Sequence, residues 1–338
     1  MEQAQDLHRN SIVIDGTCPL ASFKGYWRNY AQGGATAVAA TINLPPELMR
    51  DTMRRIGLWL KTLRANQETT LQVRSVEDIL RAKKEKKLGI IFHFQGTTPF
   101  ETDLNNLEIY HRLGVRMVQL TYNVKDFVGD GCAERTDCGL SEFGQKVIAE
   151  LDRLGMVIDC AHTGYQTTME AIEASGNPVI ISHGNALAVC DNRRNLPDYV
   201  IRAVAKNGGV IGITGYPDFV SKRKPPTLDE LIDHADYYAK LIGPDHISVG
   251  LDYFWAQTGV ASEEEARATY DGLVAAGVWN PREYSPPPIT YPEGIEMPER
   301  LGNLTAGLLK RGYGREDVQK IMGLNLLRIF EKVWGRGE

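Results

Sequence analysis

Short apolar runs alternate with longer amphipathic stretches from one end of the chain to the other. Eight runs read as strands: SIVID (11–15), TAVAATI (36–42), LGIIFHFQ (88–95), VRMVQLTY (115–122), GMVIDCA (155–161), PVIIS (178–182), GGVIGITG (208–215) and HISVGL (246–251). Between them, SEFGQKVIAELDRL (141–154), GYQTTMEAIEAS (164–175) and DYVIRAVAKN (198–207) repeat apolar residues at three and four, the helical period. Strands that are apolar along their length are buried on both faces, as in a parallel sheet covered by helices. Eight such units closing on themselves make an α/β fold, the (β/α)8 TIM barrel, which takes ~250 residues. The surplus falls in two places: extra helices around 45–85, and a long proline-containing loop, 255–300, after strand 8. With no repeat, low-complexity tract or linker, the expectation is a single domain over 1–338.

Composition narrows the classes. At 43% hydrophobic and 24% charged over 338 residues, the chain can build a large core. A net charge of -5 gives no support for nucleic acid or an anionic membrane as partner. The polar start MEQAQDLHRN lacks the apolar run of a secretory leader, and no stretch approaches the roughly 20 apolar residues of a membrane span. Five scattered cysteines without a CxxC pair predict free thiols in a reducing cytoplasm rather than a disulfide frame. There is no GxGxxG after a strand, no P-loop and no GxSxG elbow.

Barrel chemistry sits on the loops after the strands. His162 and His183 follow two successive strands there, and Asp252 follows the last. Two imidazoles and a carboxylate converging on the mouth suit a zinc-class ion, while the competing readings are buried structural histidines and an N-capping Asp. Gln95 closes the third strand. Strand alternation places His93 on the same side but one layer deeper, where a hydrogen-bonded core role is favoured and a ligand role is held in reserve. Arg194, in DNRRNLPD, suits a substrate carboxylate, and Tyr122 and Tyr216 end strands where they either bond substrate or pack.

With these residues assembled, the chain resembles the membrane (renal-type) dipeptidase family, peptidase family M19, of the amidohydrolase superfamily. The likeness spans nearly the whole length and is carried by LGVRMVQLTYN, GLSEFGQKVIAELDRLGMVIDCAHTG, PVIISHGNA, RNLPD, SVGLDYF and YPEGIEMPERLGNLTAGLLKRGYGREDVQKIMGLNLLRIFEKV. The resemblance implies a dinuclear zinc barrel that hydrolyses dipeptides, often as a homodimer. It also implies that His162 and His183 hold one metal, that Asp252 contacts the other and handles the proton of the water, and that Arg194 binds substrate. Where the family carries its first-strand His and Asp, this chain has Thr17 and Pro19. Gln95 replaces the bridging Glu, and Tyr122 replaces a substrate-contacting His.

The expected function follows from these departures. It is a dipeptidase-like amidohydrolase that breaks a C–N bond in a small carboxylate-bearing substrate. It uses at most one zinc ion, held by His162 and His183 with Gln95 or Asp252, and Asp252 serves as base and then acid. Two alternatives share the barrel: a metal-free acid/base lyase or isomerase, and a non-catalytic binding protein.

Overall fold

A computed structural model describes residues 2–43 and 45–335; residues 1, 44 and 336–338 of the expected 1–338 span lie outside it. Nine parallel strands are present among these residues: β1 (Ile14–Cys18), β2 (Ala37–Asn43), β3 (Thr70–Val73), β4 (Leu88–Phe94), β5 (Val115–Gln119), β6 (Val157–Asp159), β7 (Ile180–Ile181), β8 (Val210–Ile213) and β9 (Ile247–Val249). The sheet runs β2-β1-β9-β8-β7-β6-β5-β4-β3, and a β2–β4 pairing closes eight of the strands into a barrel. Helices lie between the strands, so the fold is the (β/α)8 barrel.

The ninth strand is a departure from the expected pattern. β3 pairs with the first half of β4, Thr70 opposite Leu88 through Val73 opposite Ile91, while β5 takes the second half. The 45–85 segment is therefore helix (Met49–Ala65), strand, helix (Val76–Glu85) rather than helices alone. The loop after β9 differs too. It contains a helix, Glu263–Ala275, opened by a capping box in which Ser262 and Glu265 satisfy each other's backbone N–H groups. Only Ala266 and Tyr270 of that helix are buried, so its apolar period is too weak to read from sequence.

Strand alternation divides the core. Val38, Ala40, Ile90, Phe92, Val118 and Ile211 face the surrounding helices. Ile14, Ala39, Ile91, Met117, Val157 and Val210 fill the interior, packed with Leu326 and Phe330 of the C-terminal helix Asn325–Trp334. Above this apolar layer the interior turns polar, with His93, Gln95, Asp159 and Ser182 each 1% exposed or less.

The barrel is tightest around β7. A Cβ on Gly250 would sit 1.8 Å from the Ser182 carbonyl oxygen and 3.2 Å from His183 Cβ, and one on Gly212 would sit 2.0 Å from that same oxygen. The strands approach this closely only because glycine has no side chain. We expect Gly250→Ala to cost about 3 kcal/mol, the upper end for overpacking, read as a lowered urea midpoint at unchanged slope.

Candidate active site at the mouth of the barrel

His162, His183 and Asp252 meet above the polar layer. Their ligand-type atoms all lie within 4.8 Å of one another. His162 Nε2 and His183 Nε2 are 2.7 Å apart, and His183 Nε2 is 3.9 Å from Asp252 Oδ2. Two of the three sit in backbone conformations that L-residues rarely adopt: φ is +61° at His162 and +56° at Asp252. Such strain persists where the surroundings enforce it, and it concentrates at functional sites.

Each imidazole is also held at its far nitrogen. His162 Nδ1 is 2.6 Å from Asn123 Oδ1, and His183 Nδ1 is 2.7 Å from Ser182 Oγ. Far-nitrogen partners of this kind fix ring orientation and tautomer in metal-binding histidines. Burial, then the charge of Arg194, pushes both imidazoles well below the ordinary 6.5, so both are neutral at pH 7 and keep a lone pair to offer. Burial raises the Asp252 carboxyl to about 7, against opposing effects of Arg194 and Gln95. The His183–Asp252 contact is consequently not a fixed ion pair.

On the other side of Asp252 the groups donate rather than ligate. Gln95 Nε2 is 2.9 Å from Thr17 Oγ1 and 3.4 Å from Asp252 Oδ1, so the amide nitrogen faces the carboxylate. The expected offer of an amide oxygen to an ion is not how this side chain is placed, since an N–H has no lone pair to give. Thr17 Oγ1 is 3.4 Å from His93 Nδ1, and His93 Nε2 is 3.0 Å from Asp159 Oδ2. His93 is thus bonded one layer below Gln95. Burial works against the Asp159 carboxylate, but His93 and His183 outweigh it and hold its pKa low. Pro19 lines the mouth and brings no donor atom. Cys18 turns away, with its Sγ toward the Tyr253 carbonyl.

The remaining expected residues are placed differently from one another. Tyr122 lines the cavity and stacks on His162, with centroids 4.1 Å apart, while its hydroxyl accepts from Trp279 Nε1 at 3.2 Å. Tyr216 lines the same cavity; its ring packs on Phe219 at 4.8 Å, and its buried hydroxyl has no hydrogen-bond partner among the described residues. Arg194 does not line the cavity. It is 3% exposed and donates from Nη2 to the His183 carbonyl at 3.2 Å; its guanidinium lies 5.7 Å from the Phe219 centroid, and its Nε has no partner among the described residues.

Sequence reasoning missed Asn123, Ser182, Trp279 and Tyr284. Ser182 and Asn123 adjoin residues already singled out, so adjacency was the available signal. Trp279 and Tyr284 come from the 255–300 insertion, which covers the mouth and leaves a cavity of about 110 Å³.

Comparison with known proteins places the chain in one family. The family model "Membrane dipeptidase (Peptidase family M19)" matches residues 1–276 and 288–335. The dipeptidase tcpJ of Claviceps purpurea (strain 20.1) is 27% identical over 288 residues, 84% of this chain and 60% of its own length. This chain spans about three-fifths of the length of the curated relatives it matches. An amidohydrolase from Pseudomonas aeruginosa superposes with a TM-score of 0.90 at 33% identity, covering 98% of this chain and 99% of the other. The probable dipeptidase PvdM from Pseudomonas aeruginosa shares the fold, with a TM-score of 0.82 at 20% identity over 99% and 98% of the two chains. Among the described residues, no helix is long and apolar enough to cross a membrane. With a profile match along almost the whole barrel, the chain belongs to the membrane dipeptidase family, peptidase family M19, in the amidohydrolase superfamily.

Proposed function

We propose that this protein is a divergent dipeptidase-like hydrolase that works with a single zinc ion held by His162, His183 and Asp252. The observation that carries the reading is the convergence of two neutral imidazole nitrogens and one carboxylate within 4.8 Å, with both far nitrogens already bonded. That donor set fits an ion of the zinc class. The neighbouring set does not: Thr17 is engaged by Gln95 and His93, Gln95 presents a nitrogen, and Pro19 offers nothing. The second ion implied by the family therefore has no place in the proposal.

When bound, the ion would polarise the substrate carbonyl and make water a better nucleophile. The chain's own residues do the rest. Asp252 takes the proton from the attacking water, and the same carboxyl passes it to the leaving nitrogen as the C–N bond breaks. In the ion-free protein burial raises this carboxyl to about 7, and a bound dication would draw it down toward the ionised form that accepts the proton. Gln95 holds Asp252 Oδ1 from the side away from His183. Arg194, buried with no ion pair among the described residues, supplies positive charge that favours a substrate bearing a carboxylate. The aromatic walls from Tyr122, Tyr216, Phe254 and Trp279 keep water out.

A second reading has one specific observation in its favour. The 2.7 Å contact between the two Nε2 atoms is itself a hydrogen bond, and such a pair beside Asp252 can move protons without an ion. One experiment separates them: turnover of a dipeptide and N-acyl amino acid panel before and after exhaustive chelation. The proposal expects C–N hydrolysis that disappears on chelation and returns with zinc. Activity indifferent to chelation favours metal-free acid/base chemistry, and no turnover across the panel contradicts the proposed hydrolase.

A second test addresses the substituted positions. Thr17→His, Pro19→Asp and Gln95→Glu together should raise zinc uptake above that of the unaltered chain, measured by elemental analysis. Unchanged uptake in a folded variant would mean that these three positions do not form a lapsed ion site.

A further inference from the structure

The cover over the mouth is tied to the chemistry through one side chain. Asn123 is 1% exposed and adopts φ +59°, a conformation that Asn tolerates better than most residues. Its Nδ2 donates to the Val278 carbonyl at 3.0 Å and lies 3.0 Å from the Tyr284 hydroxyl, both in the covering segment. Its Oδ1 is 2.6 Å from His162 Nδ1, 3.2 Å from the Tyr284 hydroxyl and 3.4 Å from Cys132 Sγ. A carbonyl only accepts, so the bond to Val278 fixes which end of the amide is NH2. The other end must then accept, which places the proton of His162 on Nδ1 and leaves the Nε2 lone pair facing His183 and Asp252.

A second path runs beside the first. Trp279 stacks on Tyr284 at 4.4 Å and 6°, and donates to Tyr122, which in turn stacks on His162. The same short segment thus fixes the imidazole at its edge and at its face. The space left beneath it, about 110 Å³, is below the roughly 300 Å³ at the lower end of small-molecule sites. A dipeptide-sized ligand needs more room than the cavity beside Asp252 has with segment 276–284 seated.

We propose that Asn123 is a positioning residue that couples seating of segment 276–284 to the orientation and tautomer of His162. Closure over a ligand aims the Nε2 lone pair at the centre of the site, and displacement of the segment releases it. Binding at Nε2 and closure then favour each other, because coupling between two sites is reciprocal. The inference rests on the reading of His162 as a metal-holding imidazole, but its tautomer prediction holds in zinc-free protein as well.

Three variants test it, each read by zinc affinity from chelator competition and by the 15N imidazole spectrum of the zinc-free protein. Asn123→Asp keeps an acceptor for His162 Nδ1–H but sets an oxygen against the Val278 carbonyl. Asn123→Leu removes both bonds, and Tyr284→Phe removes from the cover side the hydroxyl that contacts the Asn123 amide. In the unaltered protein His162 should carry its proton on Nδ1. Asn123→Leu should give mixed tautomers and a zinc affinity lower by about 10–100-fold, the usual effect of losing an outer partner. Asn123→Asp should retain the tautomer and most of the affinity while segment 276–284 becomes faster to proteolyse. Tyr284→Phe should perturb the His162 resonances from the cover side. A folded Asn123→Leu with the original tautomer, or Tyr284→Phe with unmoved His162 signals, would overturn the coupling. If the unaltered protein takes up no zinc, the metal reading fails on its own and the imidazole spectra still decide the coupling. If Asn123→Leu does not fold, the other two variants decide it.

Discussion

On the proposed hydrolysis, Asp252→Asn should lower kcat/KM toward a dipeptide substrate by about 10²–10⁴-fold, the usual contribution of a positioned general acid–base group, and it should make the folded zinc-free protein more stable at pH 8. Both effects have one origin. Burial lifts the carboxyl from its ordinary 3.8 to about 7, so holding it ionised in the fold is costly. The sign follows from linkage. The folded-state pKa lies above the unfolded one, so this group's favourable contribution is full below pH 4 and is lost as pH rises through 7. At about 1.4 kcal/mol per pH unit, the gap amounts to at most about 4 kcal/mol. Asparagine carries no charge to desolvate, so the variant should lose that slope and melt higher than the parent at pH 8. Melting curves from pH 4 to 8 on zinc-free protein read it directly. A variant that loses activity without gaining stability at pH 8 would show that the carboxylate is compensated in the fold.

On the same proposal, His183→Ala should remove zinc retention and turnover together. His183 Nε2 lies at the meeting point with His162 and Asp252, and its loss should lower zinc affinity more than the 10–100-fold typical of an outer partner. The substitution also leaves Ser182 Oγ and His162 Nε2 without their bonds in a fully buried place, which costs roughly 1–3 kcal/mol each. Chelator competition at a temperature well below the variant's own melting point separates the two consequences. Zinc affinity within a few-fold of the parent would mean that an ion, if bound, sits elsewhere.

Much of the barrel was legible because its strands are short, apolar throughout and separated by helical periods. β3 escaped because Thr70–Val73 is only four residues long and half of it is not fully buried. The helix at 263–275 escaped because it rests on the barrel by little more than two residues. At the site, strand-end position brought out His162, His183, Asp252 and Gln95, since chemistry in this architecture collects there. Position alone could not give the direction in which Gln95 turns its amide. That is set by Thr17 and Asp252, residues distant in sequence that the closed sheet brings together. The cover was beyond reach for the same reason: Trp279 and Tyr284 gain meaning only through contacts with Tyr122 and Asn123, more than 150 positions away.

The single proposed ion position lies beside a hydrogen-bonded chain that runs from Asp159 through His93, Thr17 and Gln95 to Asp252. Zinc content of the unaltered chain, loaded with excess zinc, desalted and counted by elemental analysis against protein concentration, decides whether that position stands alone. About one zinc per chain is expected. Two per chain would refute the single-ion proposal.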